Sequence, residues 1–190
     1  MIERGGQHRR SIRLLGADYT EAGGYFVTIC TDERRNIFGQ VIEGRVLLTP
    51  LGEICSQCLQ GIPEHFAHVK VAQFVVMPNH LHAILILDVG ARYIVPGDRG
   101  TRTPEQFRKP VTGSVPTIVR TFKAAVTRRA ARELKWPGDI WQRNYYERVL
   151  RDGKEYAQAS RYIAENPLRW EWDSENLQRQ RTEGLRDLAG

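Results

Sequence analysis

The stretch from His80 to Leu87, His-Leu-His-Ala-Ile-Leu-Ile-Leu, constrains the fold of this chain more than any other. Side chains alternate on a strand, so His80, His82, Ile84 and Ile86 share one face while Leu81, Ala83, Leu85 and Leu87 line the other. Apart from the imidazoles both faces are apolar, which predicts a strand inside a sheet with something packed over each side. Pro78-Asn79 leaves only a tight turn after the preceding candidate strand, Val69 to Met77, so the two should pair antiparallel. Two imidazoles on one covered face need partners for their four ring nitrogens. A divalent metal meets that need at one nitrogen of each ring, and a third oxygen or nitrogen ligand must then come from elsewhere.

The rest of the chain supplies the surrounding elements. Gly24 to Thr31 is dense in aromatic and β-branched residues and predicts a central strand. Val41 to Leu48 reads as a short hairpin turning at Glu43-Gly44. Thr49 caps and Pro50 opens a helix with Leu51, Ile54, Cys58 and Leu59 at helical spacing, ending near Gly61-Ile62-Pro63. Residues 88–113 read as a long basic loop. Ser114 then leads into a helix with Val119, Phe122, Val126 and Ala130 on one face, and Arg120, Arg128, Arg132 and Lys135 around the other, up to Pro137-Gly138. A last helix runs from about Asp152 to Asn166, where Pro167 stops it. At about 100° per residue, Tyr156, Ala159 and Ile163 point into a core and Tyr162 sits on the flank with Gln158 and Asn166.

With 190 residues, 41% of them hydrophobic, the chain supports one core. It divides into a basic arm over 1–20, a single domain over 21–172 and a polar tail over 173–190. The net charge of +6 favours an acidic partner such as nucleic acid. Cys30, Cys55 and Cys58 form no disulfide framework, so a reducing cytoplasm is expected, and Cys55 and Cys58 read as two small helix thiols rather than half of a zinc site. The polar, arginine-bearing opening is no signal peptide, and no apolar window is long enough to span a bilayer, so no membrane partner is expected.

Tyr162 gives the histidine pair a chemical partner. A tyrosine beside a phosphate-activating metal can attack phosphorus and become a covalent phosphotyrosine, keeping the energy of the broken phosphodiester for resealing. His80-Leu81-His82 within Met77-Pro78-Asn79-His80-Leu81-His82, followed far downstream by Tyr162-Ile163-Ala164-Glu165-Asn166-Pro167, resembles the REP-associated tyrosine transposases. These are relatives of the single-tyrosine HUH transposases that move single-stranded DNA. The resemblance extends from Arg9-Arg10-Ser11-Ile12-Arg13-Leu14 through Tyr25-Phe26-Val27-Thr28 and Trp141-Gln142-Arg143 to Trp170.

That resemblance implies an α+β fold, a ferredoxin-like antiparallel sheet with packed helices. It implies that His80 and His82 hold a divalent ion, Mg2+ or Mn2+, that Tyr162 is the nucleophile and that Asn166 completes the metal site. Asparagine at a helix end before proline is equally readable as a cap. The implied reaction nicks and rejoins single-stranded DNA at hairpins formed by REP-like repeats, leaving a 5′-phosphotyrosine and a free 3′-hydroxyl. A monomer is expected, in the cytoplasm and with the nucleoid. Arg9, Arg10, Arg13, Arg120, Arg128, Arg132 and Arg143 are the candidate phosphate contacts, and Trp141 either stacks on bases or fills a core. Tyr145, Tyr146 and Tyr156 are rival nucleophiles. The alternative function is a domesticated hairpin-binding protein that does not cleave.

Overall fold

The chain builds a four-stranded antiparallel sheet around the histidine strand. The computed structural model describes residues 23–88, 113–173, 175 and 176. The arm with Arg9, Arg10 and Arg13, most of the basic loop, and the tail from 177 lie outside the described residues. In chain order the elements are β1 (Gly23–Cys30), β2 (Gly39–Ile42), β3 (Arg45–Leu48), α1 (Pro50–Gln60), α2 (Ile62–His65), β4 (Val69–Val76), β5 (His80–Leu87), α3 (Val115–Leu134), β6 (Tyr146–Leu150) and α4 (Gly153–Glu165). A 3-10 turn, Pro167–Trp172, follows α4.

The sheet runs β4-β5-β1-β6, with every neighbouring pair antiparallel. The connections from β1 through α1 to β4 and from β5 through α3 to β6 each skip one strand, which is the ferredoxin-like arrangement expected from the resemblance. β2 and β3 form a separate hairpin. Its two turn residues, Glu43 (φ 50) and Gly44 (φ 71), both adopt the left-handed backbone that a two-residue hairpin turn requires.

The two sides of β5 are divided as the alternation predicts. Leu81, Ala83, Leu85 and Leu87 join Tyr25, Val27 and Ile29 of β1 in the main core, under α1 and α3. Ile84 joins Phe26, Leu150, Ala159 and Ile163 in a second core under α4. Thr49 caps α1 through its side chain, which accepts from the Gly52 N–H at 3.1 Å. Asp152 does the same for α4, accepting from the Glu155 N–H at 2.8 Å. Ala159 and Ile163 face the sheet, Tyr156 packs beside them, and Tyr162 sits on the flank.

A bulge in β4 between Val71 and Gln73 returns Gln73 to the α4 side of the sheet. There its amide donates to the Ser160 carbonyl at 3.1 Å and its oxygen accepts from the Ser160 hydroxyl, which fixes α4 lengthwise over β4 and β5. β6 was not anticipated from the sequence. Tyr-Glu-Arg-Val-Leu alternates but is half polar, as suits a strand that, among the described residues, is paired on one side only. No helix of the described residues is long and apolar enough to cross a membrane.

Candidate metal centre and tyrosine

β5 places His80 and His82 in the interior, 0% and 3% exposed, beneath α4 and the turn after it. Its register sets His82 opposite Thr28 and His80 opposite Cys30 on β1. Each imidazole is held from behind at Nδ1. Thr28 Oγ1 lies 2.8 Å from His82 Nδ1, and Asn79 Oδ1 lies 2.8 Å from His80 Nδ1. The Asn79 amide nitrogen is committed to the Arg34 and Glu175 carbonyls, so its oxygen is the acceptor and His80 carries its proton on Nδ1.

The lone pair of His80 Nε2 therefore faces His82 Nε2 at 3.0 Å. Without a cation, that contact needs a proton on His82 Nε2, with the Thr28 hydroxyl donating to His82 Nδ1. If the Thr28 hydroxyl rotates to accept instead, both Nε2 lone pairs become available to one ion. Two nitrogens at right angles about one ion, with bonds of about 2.1 Å, stand about 3.0 Å apart, which matches the separation here.

Asp173 completes a cluster in which one ligand atom each from His80, His82 and Asp173 lies within 4.8 Å of the others. Its Oδ2 is 4.0 Å from His80 Nε2. The carboxylate is positioned by the Asn166 amide, which donates to Oδ2 at 3.1 Å, and by the Glu175 N–H, which donates to Oδ1 at 2.8 Å. Asn79 fastens this segment to β5 by donating to the Glu175 carbonyl at 2.7 Å, and Arg34 pairs with the Glu175 carboxylate. Trp170, 7% exposed, closes over His80 with ring centroids 6.0 Å apart.

Asn166 is 2% exposed, and its Oδ1 is buried with no hydrogen-bond partner among the described residues. An orphaned buried acceptor costs about 1–3 kcal/mol. A cation at the cluster would remove that cost, so two imidazole nitrogens, a carboxylate and an amide oxygen fit a divalent ion. Asn166 stands at the C-cap of α4 with a right-handed backbone (φ −56, ψ −43) rather than the left-handed one, and its side-chain amide donates to Asp173.

Tyr162 stands beside the pair. Its ring meets His82 edge-on at 5.0 Å and Phe26 at 6.0 Å, and Phe26 in turn stacks on His82 at 5.3 Å. The phenol is 41% exposed. Burial and then the negative charge of Asp173 push its pKa above the ordinary value, with Asn166 opposing them. On the solvent side Lys154, Gln158, Arg161 and Arg169 line a groove with Tyr162, and Arg169 pairs with Glu165 at 2.6 Å.

The other candidates lie elsewhere. Arg120, Arg128 and Arg132 are exposed on α3, which covers the face of the sheet opposite the histidines. Trp141 packs between Phe38 and Phe122 on that same side, with its indole N–H donating to the Lys123 carbonyl at 3.2 Å. It fills a core there. Arg143 is exposed one residue after Gln142, whose N–H donates to the Cys30 carbonyl, and so belongs to the His80 end of the sheet. Tyr145 donates to Glu147 Oε2 at 2.7 Å on the far face, and Tyr156, on α4 itself, packs against the second core.

Sequence reasoning missed Asp173, which opens the polar tail and carries no periodic signal, together with Thr28 and Asn79 behind the imidazoles. The Asn79 position had one signal, its adjacency to the first histidine.

Burial fixes how the metal-free site responds to acid. It lowers the pKa of His80 to about 3, with the Arg34 charge adding to the effect, and it lowers His82 well below its ordinary value, with His80 adding. The unfolded chain then binds more protons than the folded one below about pH 6.5, so stability is full above that pH and is lost as pH falls toward the folded pKa. The urea midpoint of EDTA-treated protein should drop between about pH 7 and about pH 4, and His80→Gln should flatten part of the drop. A wild-type midpoint that stays constant across that range would contradict the assignment.

No family model matches the sequence. An uncharacterised protein of Haemophilus influenzae is 43% identical over 169 residues, covering 87% of this chain and 92% of that protein. A second Haemophilus influenzae protein, named a putative REP-associated tyrosine transposase, is 29% identical over 153 residues, covering 80% of this chain and 74% of its own length. Among solved structures, a REP-associated tyrosine transposase bound to a REP hairpin has the same fold, with a TM-score of 0.53 at 18% identity over 80% of this chain and 70% of that one. The chain thus has the fold of a solved REP-associated tyrosine transposase and is similar in sequence, over most of its length, to a protein named a putative one.

Proposed function

We propose that the chain nicks single-stranded DNA and transfers the cut strand through a phosphotyrosine at Tyr162, at hairpins formed by REP-like repeats. The observation that carries this reading is the placement of the Tyr162 ring 5.0 Å from His82, whose Nε2 faces that of His80 at 3.0 Å, with Asp173 beside both. A reactive hydroxyl and a phosphate-activating centre are thus neighbours. One of the two Haemophilus influenzae relatives is named a putative REP-associated tyrosine transposase, and the protein of shared fold is bound to a REP hairpin.

Tyr162 Oη attacks phosphorus, the P–O3′ bond breaks, and the 5′-phosphate of the downstream fragment stays on the tyrosine. The phenol proton leaves to solvent at the open side of the groove, and the departing 3′-oxygen takes a proton from solvent. His80, His82, Asp173 and the Asn166 oxygen would hold a divalent ion, Mg2+ or Mn2+, because carboxylate, amide and phosphate oxygens suit hard cations. When bound, that ion offsets the Asp173 charge felt by the phenol and draws electron density from the phosphate. Lys154 and Arg161 face the strand from the groove, and Arg143 approaches it from the His80 end of the sheet. Attack by another 3′-hydroxyl on the phosphotyrosine reverses the step and joins two strands.

Wild-type protein incubated with a 3′-labelled hairpin carrying single-stranded flanks and Mn2+ should yield a labelled, SDS-resistant adduct, and EDTA should abolish it. Binding of the same DNA with no adduct across flank sequences and divalent ions would instead identify a non-cleaving hairpin binder.

A further inference from the structure

We propose that the edge strand β6 is the landing for the single strand, with Tyr146 stacking on the base next to the reacting phosphate and Arg148 holding a neighbouring phosphate. The proposal rests on the strand-transfer reading and adds to it a DNA subsite outside the metal cluster. The sheet register carries it. Tyr146 lies opposite Thr28 on β1, and Thr28 lies opposite His82 on β5, so the three side chains form one row across a single face of the sheet. Thr28 touches His82 directly, through the 2.8 Å contact at Nδ1. Arg148 lies opposite Phe26, the ring that stacks on His82 and meets Tyr162 edge-on. Alternation supports the facing, since Leu150, the next residue of that set, is buried under α4 with Phe26 and Ile163.

Tyr146 and Arg148 are exposed although their neighbours on this face, Thr28, His82 and Leu150, are buried. α4 covers Leu150 at one end of β6, yet Tyr146 is 48% exposed and Arg148 is exposed as well. An aromatic ring half in water on the active-site face is a platform that any base can use, because every base offers a π-face. Neighbouring strands stand about 4.8 Å apart, so Tyr146 sits about 10 Å across the sheet from His82, a short step along an extended strand. Among the described residues β6 pairs only with β1, and its outer side carries no further strand. A tyrosine for the base and an arginine two residues on for the phosphate are the two contacts that single-strand binding sites combine.

The test measures affinity rather than cutting, so that it stands apart from the nicking reaction. Fluorescence anisotropy of a labelled hairpin with single-stranded flanks is followed in full-length Tyr162→Phe protein, with Tyr146→Ala, Tyr146→Phe and Arg148→Gln added singly. Tyr146→Ala should weaken binding by roughly 10-fold, and Tyr146→Phe should restore it, since stacking does not need the hydroxyl. Arg148→Gln should reduce the slope of log affinity against log salt by about 0.7, the value of one single-strand phosphate contact. Because Tyr146 and Arg148 are exposed on an edge strand, unchanged thermal melting should accompany these changes. Unaltered affinity in Tyr146→Ala together with an unaltered salt slope in Arg148→Gln would overturn the subsite while leaving the adduct of the wild-type protein intact. An adduct missing from wild type while the affinity losses persist would sink the nicking reaction and keep the subsite.

Discussion

Tyr162→Phe should abolish the covalent adduct and lower strand cleavage by at least about 10⁴-fold, while DNA affinity stays within about 2-fold of wild type. The change removes one oxygen from a side chain that is 41% exposed, so the ring can keep its edge contacts with His82 and Phe26. Loss of reaction without loss of binding or of melting temperature is the signature of a missing nucleophile. A positioning role would give a partial loss and a changed affinity. Tyr146→Phe, by contrast, should leave the adduct in place, because Tyr146 lies two strands across the sheet from His82.

Asp173→Ala should weaken Mn2+ binding, measured by calorimetry, by about 100-fold or more. Loss of an outer-shell partner alone costs 10- to 100-fold, and the proposed function makes Asp173 a direct ligand. Cleavage should then return only at high metal concentration. A second readout is independent of any ion. Since the Asp173 charge raises the Tyr162 pKa in the metal-free protein, the variant should titrate its phenol closer to the ordinary tyrosine value in a difference ultraviolet titration. Unchanged metal affinity would leave Asp173 as a structural anchor for the turn after α4, and would shift the third ligand to Asn166 Oδ1.

The sequence carries the sheet and the facing of the site more clearly than it carries the metal sphere. Period-two alternation separates Leu81, Ala83, Leu85 and Leu87 from the histidine side because both layers of the fold press on β5. Helical spacing likewise places Ala159 and Ile163 inward and Tyr162 on the flank. Asp173 is different. It reaches the histidines because Pro167–Trp172 turns the chain back, because Asn166 holds its carboxylate, and because Asn79 and Arg34, both far away in sequence, hold Glu175.

β6 escaped for another reason. An edge strand needs an apolar residue only where a helix covers it, so Tyr146 and Arg148 dilute the pattern. Trp141 shows the limit of composition, since an indole suited to stacking on a base is equally suited to packing between Phe38 and Phe122. For Arg120, Arg128 and Arg132, helical periodicity gives an exposed face but not the side of the sheet on which α3 lies.

The most direct measurement is to trap the adduct with a 3′-labelled hairpin in Mn2+, digest the protein and identify the DNA-bearing peptide by mass spectrometry. The predicted result is a single modified residue, Tyr162, joined to the 5′-phosphate of the downstream fragment. Attachment at Tyr146, or at any residue other than Tyr162, would contradict the assignment of the nucleophile.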